Sequence, residues 1–418
     1  MGNILNVILD YDLYNEDSSV INERDAIYNT GALFGFYNIA DPVKKEFGDI
    51  ENNPSEYFYY SPPACNTFFY AVVTKLRPNF IPFSNKIVHY LKNYKNFKIF
   101  FCEAHECFGE QFFILIKNTC DHFDIDPNQF IIIDDDHNFD YYVNKHNFKP
   151  IHHIANHHMS LMNRDMENYK IDFVKEKEFF FLCHNKTMKA HRLLTLAYLS
   201  KNNLLEDTNW SNLQSFQYKK MCKDNVGDIK NTFFEHLIEK TELKEIENDI
   251  DFVTKDDIKK SKYEDYMTWH YLNENGSPAK GQWGNYYDSK TYETSYVNIT
   301  TESSFERPGI IHVTEKSYIP FHSFQIPIIF ATCGHIKAMK NRYGFDFFED
   351  VVNHDYDNEP DNKIRFQKIV NEIVSLYNRK TDVIEFYKNN YERFYQNKLK
   401  IIQFSNNQYD EKFLKCLV

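Results

Sequence analysis

The stretch Gly309–Gly334, GIIHVTEKSYIPFHSFQIPIIFATCG, decides how the second half of the chain is expected to fold. Ile310, Ile311 and Val313 read as a buried strand, and Gln325–Ala331 carries a second β-branched and aromatic run. Between them Thr314 stands where a helix N-cap is wanted, with Glu315 and Lys316 in the first turn. Strand, helix and strand in that order imply parallel pairing through a crossover helix. The first turn then presents backbone N–H groups and the positive end of the helix dipole, which with Lys316 favour a bound phosphate. Glu315 suits the hydrogen bonds of a ribose hydroxyl. A nucleotide satisfies both, and a plain helix cap followed by an early glutamate satisfies the same pattern without a ligand.

The run VTEKSYIPFHSFQIPI resembles the C-terminal donor-binding segment of fucosyltransferase-like (family 10-like) glycosyltransferases, where Thr-Glu-Lys opens a helix before a strand containing Pro. It is also similar to glycosyltransferases of phages and marine microbes, which add an acidic stretch upstream and a Gly-Phe-Asp/Lys-x-Phe stretch downstream. Here these are Glu302–Glu306 (ESSFE) and Gly344–Phe348 (GFDFF), followed by the acidic His354–Asp357. The resemblance covers roughly the last third of the chain. It departs at Gln325 and Ile326, where a Gly often precedes the Pro of the second strand. It implies a GT-B-like α/β architecture, two Rossmann-like open parallel-sheet domains facing a cleft. It also implies an inverting transfer from a UDP- or GDP-sugar to an acceptor hydroxyl, with no essential divalent metal. The acceptor implied is a glycan or another hydroxyl-bearing molecule, a modified DNA base being less favoured.

At 418 residues the chain is long enough for two or three domains, each with its own core. The 38 Phe and 30 Tyr against 12 Gly reflect an AT-rich coding bias, so aromatic content alone does not mark a base-stacking surface. A net charge of −12 argues against general affinity for nucleic acid, which needs an excess of Lys and Arg. Eight cysteines, Cys65, Cys102, Cys107, Cys120, Cys183, Cys222, Cys333 and Cys416, lack C-x-x-C spacing and read as reduced core residues. The start, MGNILNVILDYDLYNED, lacks the basic region of a signal peptide, and Asn6 stands where a myristoylation signal wants Ser or Thr. No apolar run reaches the length of a membrane span, so the expected location is cytoplasmic, the host cytoplasm if the source is viral.

Ahead of the opening stretch, strands and helices alternate. Ile4–Leu9, Lys98–Cys102 and Phe130–Ile133 read as strands; Cys65–Leu76, Lys86–Leu91 and Gly109–Phe123 have helical spacing. A second series starts with a strand at Phe179–Leu182 and an amphipathic helix at His191–Ser200. The expected domains are 1–160 on the acceptor side and 175–385 on the nucleotide-sugar side, the latter with an insertion around 206–298. That insertion reads as a lid or acceptor-binding loop, and its Trp269 and Trp283 as packing or stacking residues. Residues 386–418 read as a helical tail returning to the first domain.

Two groups of residues carry the expected chemistry. The basic loop HNKTMKAHR (His184–Arg192) offers Lys186, Lys189 and Arg192 to a pyrophosphate, which with Glu302, Thr314, Glu315 and Lys316 completes a donor site; a solvated positive turn fits the loop equally well. A general base comes from the first domain, Glu106 or Glu103 just past KIFFC, with Asp10 and Asp12 as alternatives. An alternative function is a metal-dependent hydrolase built on Asp134–Asp136 and the cluster His152, His153, His157 and His158. A third is a non-catalytic nucleotide- or glycan-binding viral protein.

Overall fold

Every strand pairing in the computed structural model is parallel among the described residues. These are residues 3–8, 40–60, 79–81, 83–103, 109–134, 136–154, 159, 172–185, 189–212, 229–254, 289–307 and 309–406. The chain falls into two units, one built from residues up to Asn156 and the other from His157–Asn407. Each is α/β, with its own parallel sheet.

The first unit runs β1 (Asn3–Ile8), β2 (Ala40–Lys45), α1 (Phe47–Asn52), β3 (Phe58–Tyr60), α2 (Asn85–Asn93), β4 (Phe97–Glu103), α3 (Gly109–Phe123), β5 (Phe130–Asp134), α4 (Phe139–His146) and β6 (Ile151–Ile154). Its sheet has the order β2-β1-β3-β4-β5-β6. Ile99, Phe101, Ile131 and Ile132 have no exposed surface, as central parallel strands covered on both faces require. Helix α3 buries Phe112, Phe113, Leu115, Ile116 and Cys120 on one face, and Phe113 meets Phe139 and Phe148 edge-on.

The second unit runs β7 (Phe179–Asn185), α5 (Ala190–Lys201), β8 (Thr208–Asn212), α6 (Ile229–Phe234), α7 (Lys240–Glu245), α8 (Glu247–Val253), α9 (Ser289–Tyr292) and β9 (Ser295–Thr301). It continues through α10 (Glu315–His322), β10 (Ile326–Phe330), α11 (His335–Tyr343), α12 (Asn362–Asn378), α13 (Lys380–Asn389) and α14 (Tyr391–Asn406). The sheet order is β10-β9-β7-β8. Numbered within the unit that is 2-1-3-4 from the β8 edge, the order with which the first sheet also begins. Both are doubly wound, and ligands of such sheets bind beyond the strand C-termini where the order reverses. In the second unit that point lies between β7 and β9.

Three expectations change here. Ile310–Val313 is not a strand: the strand before α10 is β9, and residues 302–314 form a connection with a single bridge residue at His312. The β-branched run mimics a strand because Val313 is buried against the core, while the N–H of Thr314 is taken by Glu302. Helix α5 is not amphipathic, since Ala190–Leu199 are all buried; α8 covers it and α12 packs beside it. The 206–298 region is more than an excursion, since it supplies the edge strand β8 and the covering helix α8; Trp269 and Trp283 lie outside the described residues. Of the expected tail, the described residues to Asn406 pack into the second core through Phe394 and Ile401, with α14 against α10, and 407–418 lie outside the described residues.

No helix among the described residues is long and apolar enough to cross a membrane. Cys120 and Cys183 are buried free thiols and Cys333 is half-buried.

Candidate functional site

Strands β7 and β9 end side by side, and Thr301 Oγ1 donates to Asn185 Oδ1 at 2.5 Å across the gap. The residue after β9 is Glu302, which has no exposed surface. Its Oε1 accepts from Thr314 N at 3.1 Å and Ser317 Oγ at 2.5 Å. Its Oε2 accepts from Thr314 Oγ1 at 2.7 Å and Ser303 N at 3.1 Å. Four donors thus meet one carboxylate, as a buried charge demands. Burial alone would raise this carboxyl, but Lys316, His335 and the Ser317 and Thr314 hydroxyls outweigh it and hold it down at about 2. Glu302 is an internal anion placed under the start of α10.

Thr314 caps that helix, its Oγ1 accepting from Lys316 N at 3.4 Å. Lys316 Nζ reaches Thr314 Oγ1 at 3.3 Å and Glu315 Oε1 at 2.5 Å, both charged side chains being partly open to solvent. His335, the first residue of α11, places Nε2 2.9 Å from Ser317 Oγ. Because the Ser317 proton goes to Glu302, the imidazole must be the donor, which fixes the Nε2–H tautomer. Burial holds His335 below the usual histidine range, against the pull of Glu302 and Asp357.

Three of the backbone donors expected to be open to a phosphate are therefore occupied. Thr314 N serves Glu302, Lys316 N serves Thr314 Oγ1, and Ser317 N serves Thr314 O. Glu302, expected to contact a donor, is sealed beneath the helix, with its oxygens taken by Ser303, Thr314 and Ser317. Arg192 is likewise under the loop rather than in an open basic patch. It is 5% exposed, with Nη2 3.0 Å from Thr301 O and 3.4 Å from Glu302 O. Lys189 Nζ donates to Ser303 O at 2.5 Å, so the basic loop and the ESSFE stretch do meet, chiefly through main-chain carbonyls. Lys186 and Glu106 lie outside the described residues, as do Asp10 and Asp12. Glu103 closes β4 at its C-terminal end.

The other motif residues serve the fold. Gln325 sits at the N-terminal ends of β9 and β10, away from the site, its Nε2 donating to Ser295 Oγ at 2.7 Å while its Oε1 accepts from Asn298 at 2.8 Å. Gly344 adopts φ +68 as the C-cap of α11, and Asp346 pairs with Arg393 at 2.7 Å, docking α14. Asp357 caps α11 through the N–H groups of Ile336 and Lys337 at 3.0 and 2.9 Å. In the hydrolase alternative, Asp136 accepts from Asn138 N at 2.9 Å and Tyr142 OH at 3.0 Å, and His152 stacks on Phe139 at 3.6 Å. Asp134 ends β5 and His153 lies in β6, while Asp135, His157 and His158 lie outside the described residues. No metal-holding group of three such side chains occurs among the described residues.

Sequence reasoning missed Ser317, His335, Glu306 and two imidazoles, His191 and His236. Glu306 Oε1 lies 3.1 Å from His236 Nε2 and 3.5 Å from His191 Nδ1. His191, 1% exposed, also contacts Glu302 O through Nε2 at 3.0 Å, so a single loop carries a carboxylate at each end. The only signal in the sequence was the two glutamates of ESSFE itself.

Compared with protein-family models, curated proteins and solved structures, the chain finds no match.

Proposed function

We propose that the chain is a glycosyltransferase that moves a sugar from a UDP- or GDP-sugar to an acceptor hydroxyl, with inversion and without an essential metal. The observation that supports this reading is the pairing of Lys316 with Glu315 at the mouth of the β7/β9 switch point, above the buried Glu302. A diphosphate would draw Lys316 away from Glu315, and the released carboxylate would accept the ribose hydroxyls. Glu302 does not touch the donor in this scheme; it holds Thr314 and Ser317 so that α10 presents Lys316 in one place. Lys316 then offsets charge on the departing diphosphate, as preorganised electrostatic stabilisation requires. Arg192 keeps the strand ends in register, and Lys186 belongs to the same loop. The acceptor proton goes to a carboxylate of the first unit, Glu106 or Glu103. The reading carries with it the GT-B-like arrangement of two Rossmann-like domains, a cytoplasmic setting, and a glycan as acceptor ahead of a modified DNA base.

A thermal-shift panel of UDP, GDP, CDP, ADP and their sugars, on wild type and Lys316→Ala, tests it. One diphosphate at a hundredfold excess over its Kd should stabilise the wild type by about 2.7 kcal/mol and leave the variant unmoved. No response to any nucleotide overturns the reading. Binding without sugar transfer or donor hydrolysis would favour the non-catalytic alternative.

A further inference from the structure

The far end of the Glu302–Glu306 loop opens onto a cavity of about 470 Å³ at the C-terminal edge of β9 and β10. That volume falls within the range of small-molecule pockets, about 300–1,000 Å³. Its wall includes His236, Phe305, Thr332, Cys333, Asp361 and Asn362. The character of this wall selects among ligands.

Anions are disfavoured because the cations along the wall are committed. Arg365 spends all its donors on the protein: Nε on Ala331 O, Nη1 on the carbonyls of Glu359 and Pro360, and Nη2 on Phe305 O and Asn362 Oδ1. Lys363 Nζ lies 2.6 Å from Glu239 Oε1. The first turn of α12 is capped by Asp361 Oδ1, which takes the N–H groups of Lys363 and Ile364 at 2.9 and 3.0 Å. A flat nucleobase has no platform either. Phe305 is 1% exposed, with His191 stacked against it at 5.3 Å and the Arg365 guanidinium over it at 4.5 Å.

What remains is a mixture of neutral donors and acceptors with two carboxylates, Asp361 on the wall and Glu306 beside His236. Glu306 Oε1, His191 Nδ1 and His236 Nε2 converge at ion-pair distance, yet none of the three makes a hydrogen bond of good geometry. Three buried polar atoms with bonding capacity in hand stand beside a cavity that His236 itself lines. A ligand hydroxyl bonded to the other edge of the His236 ring would let that ring settle onto Glu306.

We propose that this cavity binds a neutral, polyhydroxylated ligand, a saccharide end, recognised by His236 backed by Glu306 together with Asp361 and Asn362. That the saccharide is the acceptor rests on the sugar-transfer reading; that it binds here does not. The donor's own sugar shares this chemistry, and competition separates the two sources.

The test uses the full chain with D-glucose, D-galactose and N-acetyl-D-glucosamine, followed by saturation-transfer NMR. At least one should bind, and His236→Phe and Glu306→Gln should each weaken it about tenfold. On wild type, the same sugar should slow alkylation of Cys333, read peptide by peptide, so the outcome does not hang on how the variants fold. Displacement by a nucleotide-sugar but not by its nucleoside diphosphate assigns the cavity to the donor's sugar; failure of both to displace assigns it to the acceptor. If no saccharide binds, or Cys333 is protected by inorganic phosphate or adenosine instead, the inference falls even if nucleotides bind at Lys316. If saccharide binds and nucleotides never do, the inference stands and the transferase reading falls.

Discussion

Glu302 and Glu306 begin and end the same short loop, and both carboxyls are held at about 2 against the effect of burial. Their surroundings differ in kind. Glu302 is sealed and meets four donors, the N–H groups of Ser303 and Thr314 and the hydroxyls of Thr314 and Ser317, all at 3.1 Å or less. Glu306 has a side chain 35% exposed and two imidazoles that approach without bonding well. Its low value leans on those rings, and burial keeps the His191 ring well below the usual histidine range. The contrast separates a carboxylate that builds the site from one that is available to it. Equal acidity does not mean equal stability.

The strongest way to break this contrast is to remove Glu302. Glu302→Ala leaves Thr314 N, two hydroxyls and the neighbouring Lys316 without their anion, and should cost about 3–5 kcal/mol, read by urea denaturation. The pH dependence has a definite sign. Glu302 is depressed from its ordinary 4.5 to about 2 in the folded protein, so its contribution is full above pH 4.5 and disappears as pH falls through 2. That acid limb should amount to something on the order of 3 kcal/mol and shrink in Glu302→Gln. A loss under 1 kcal/mol in Glu302→Ala would mean that the buried carboxylate does not hold α10.

A smaller effect sharpens the same point. Ser317→Ala removes one donor from Glu302 and at the same time leaves the His335 Nε2–H without its acceptor. The cost should be about 1–3 kcal/mol, and it should be less than additive with Glu302→Ala, because both changes strike one network. Full additivity in the double-mutant cycle would show that Ser317 and Glu302 act separately.

Much of the fold was legible in the sequence. Gly109–Phe123 reads as a helix from its apolar spacing and is one; Phe130–Ile133 and Phe179–Leu182 lie within strands. Thr314 as a cap was legible too, because capping depends on residues within one turn. The partner of that cap was not. Glu302 lies 12 residues away and reaches Thr314 only because the connection after β9 folds back, which no local periodicity records. For the same reason Ile310–Val313 passed for a strand: buried β-branched residues look alike whether their backbone pairs with a strand or turns back. Arg192 and His191 looked like a basic loop because charge is read residue by residue. Their burial is set by α8 and the ESSFE loop, both distant in sequence.

The smallest expected stability effect decides most about Glu306. Glu306→Gln keeps the size of the side chain and its position between His191 and His236, and it removes only the charge. With a third of the side chain in water, solvent screens what the charge contributes, and the change in unfolding free energy should stay under about 1 kcal/mol. Stability near neutral pH should thus barely register the same acidity that matters at Glu302. The cavity should register it, because without the carboxylate the His236 ring loses the acceptor that would hold it in place against a ligand hydroxyl. A loss above 2 kcal/mol would place Glu306 with Glu302 among the groups that build the unit, and the difference between the two ends of the loop would vanish.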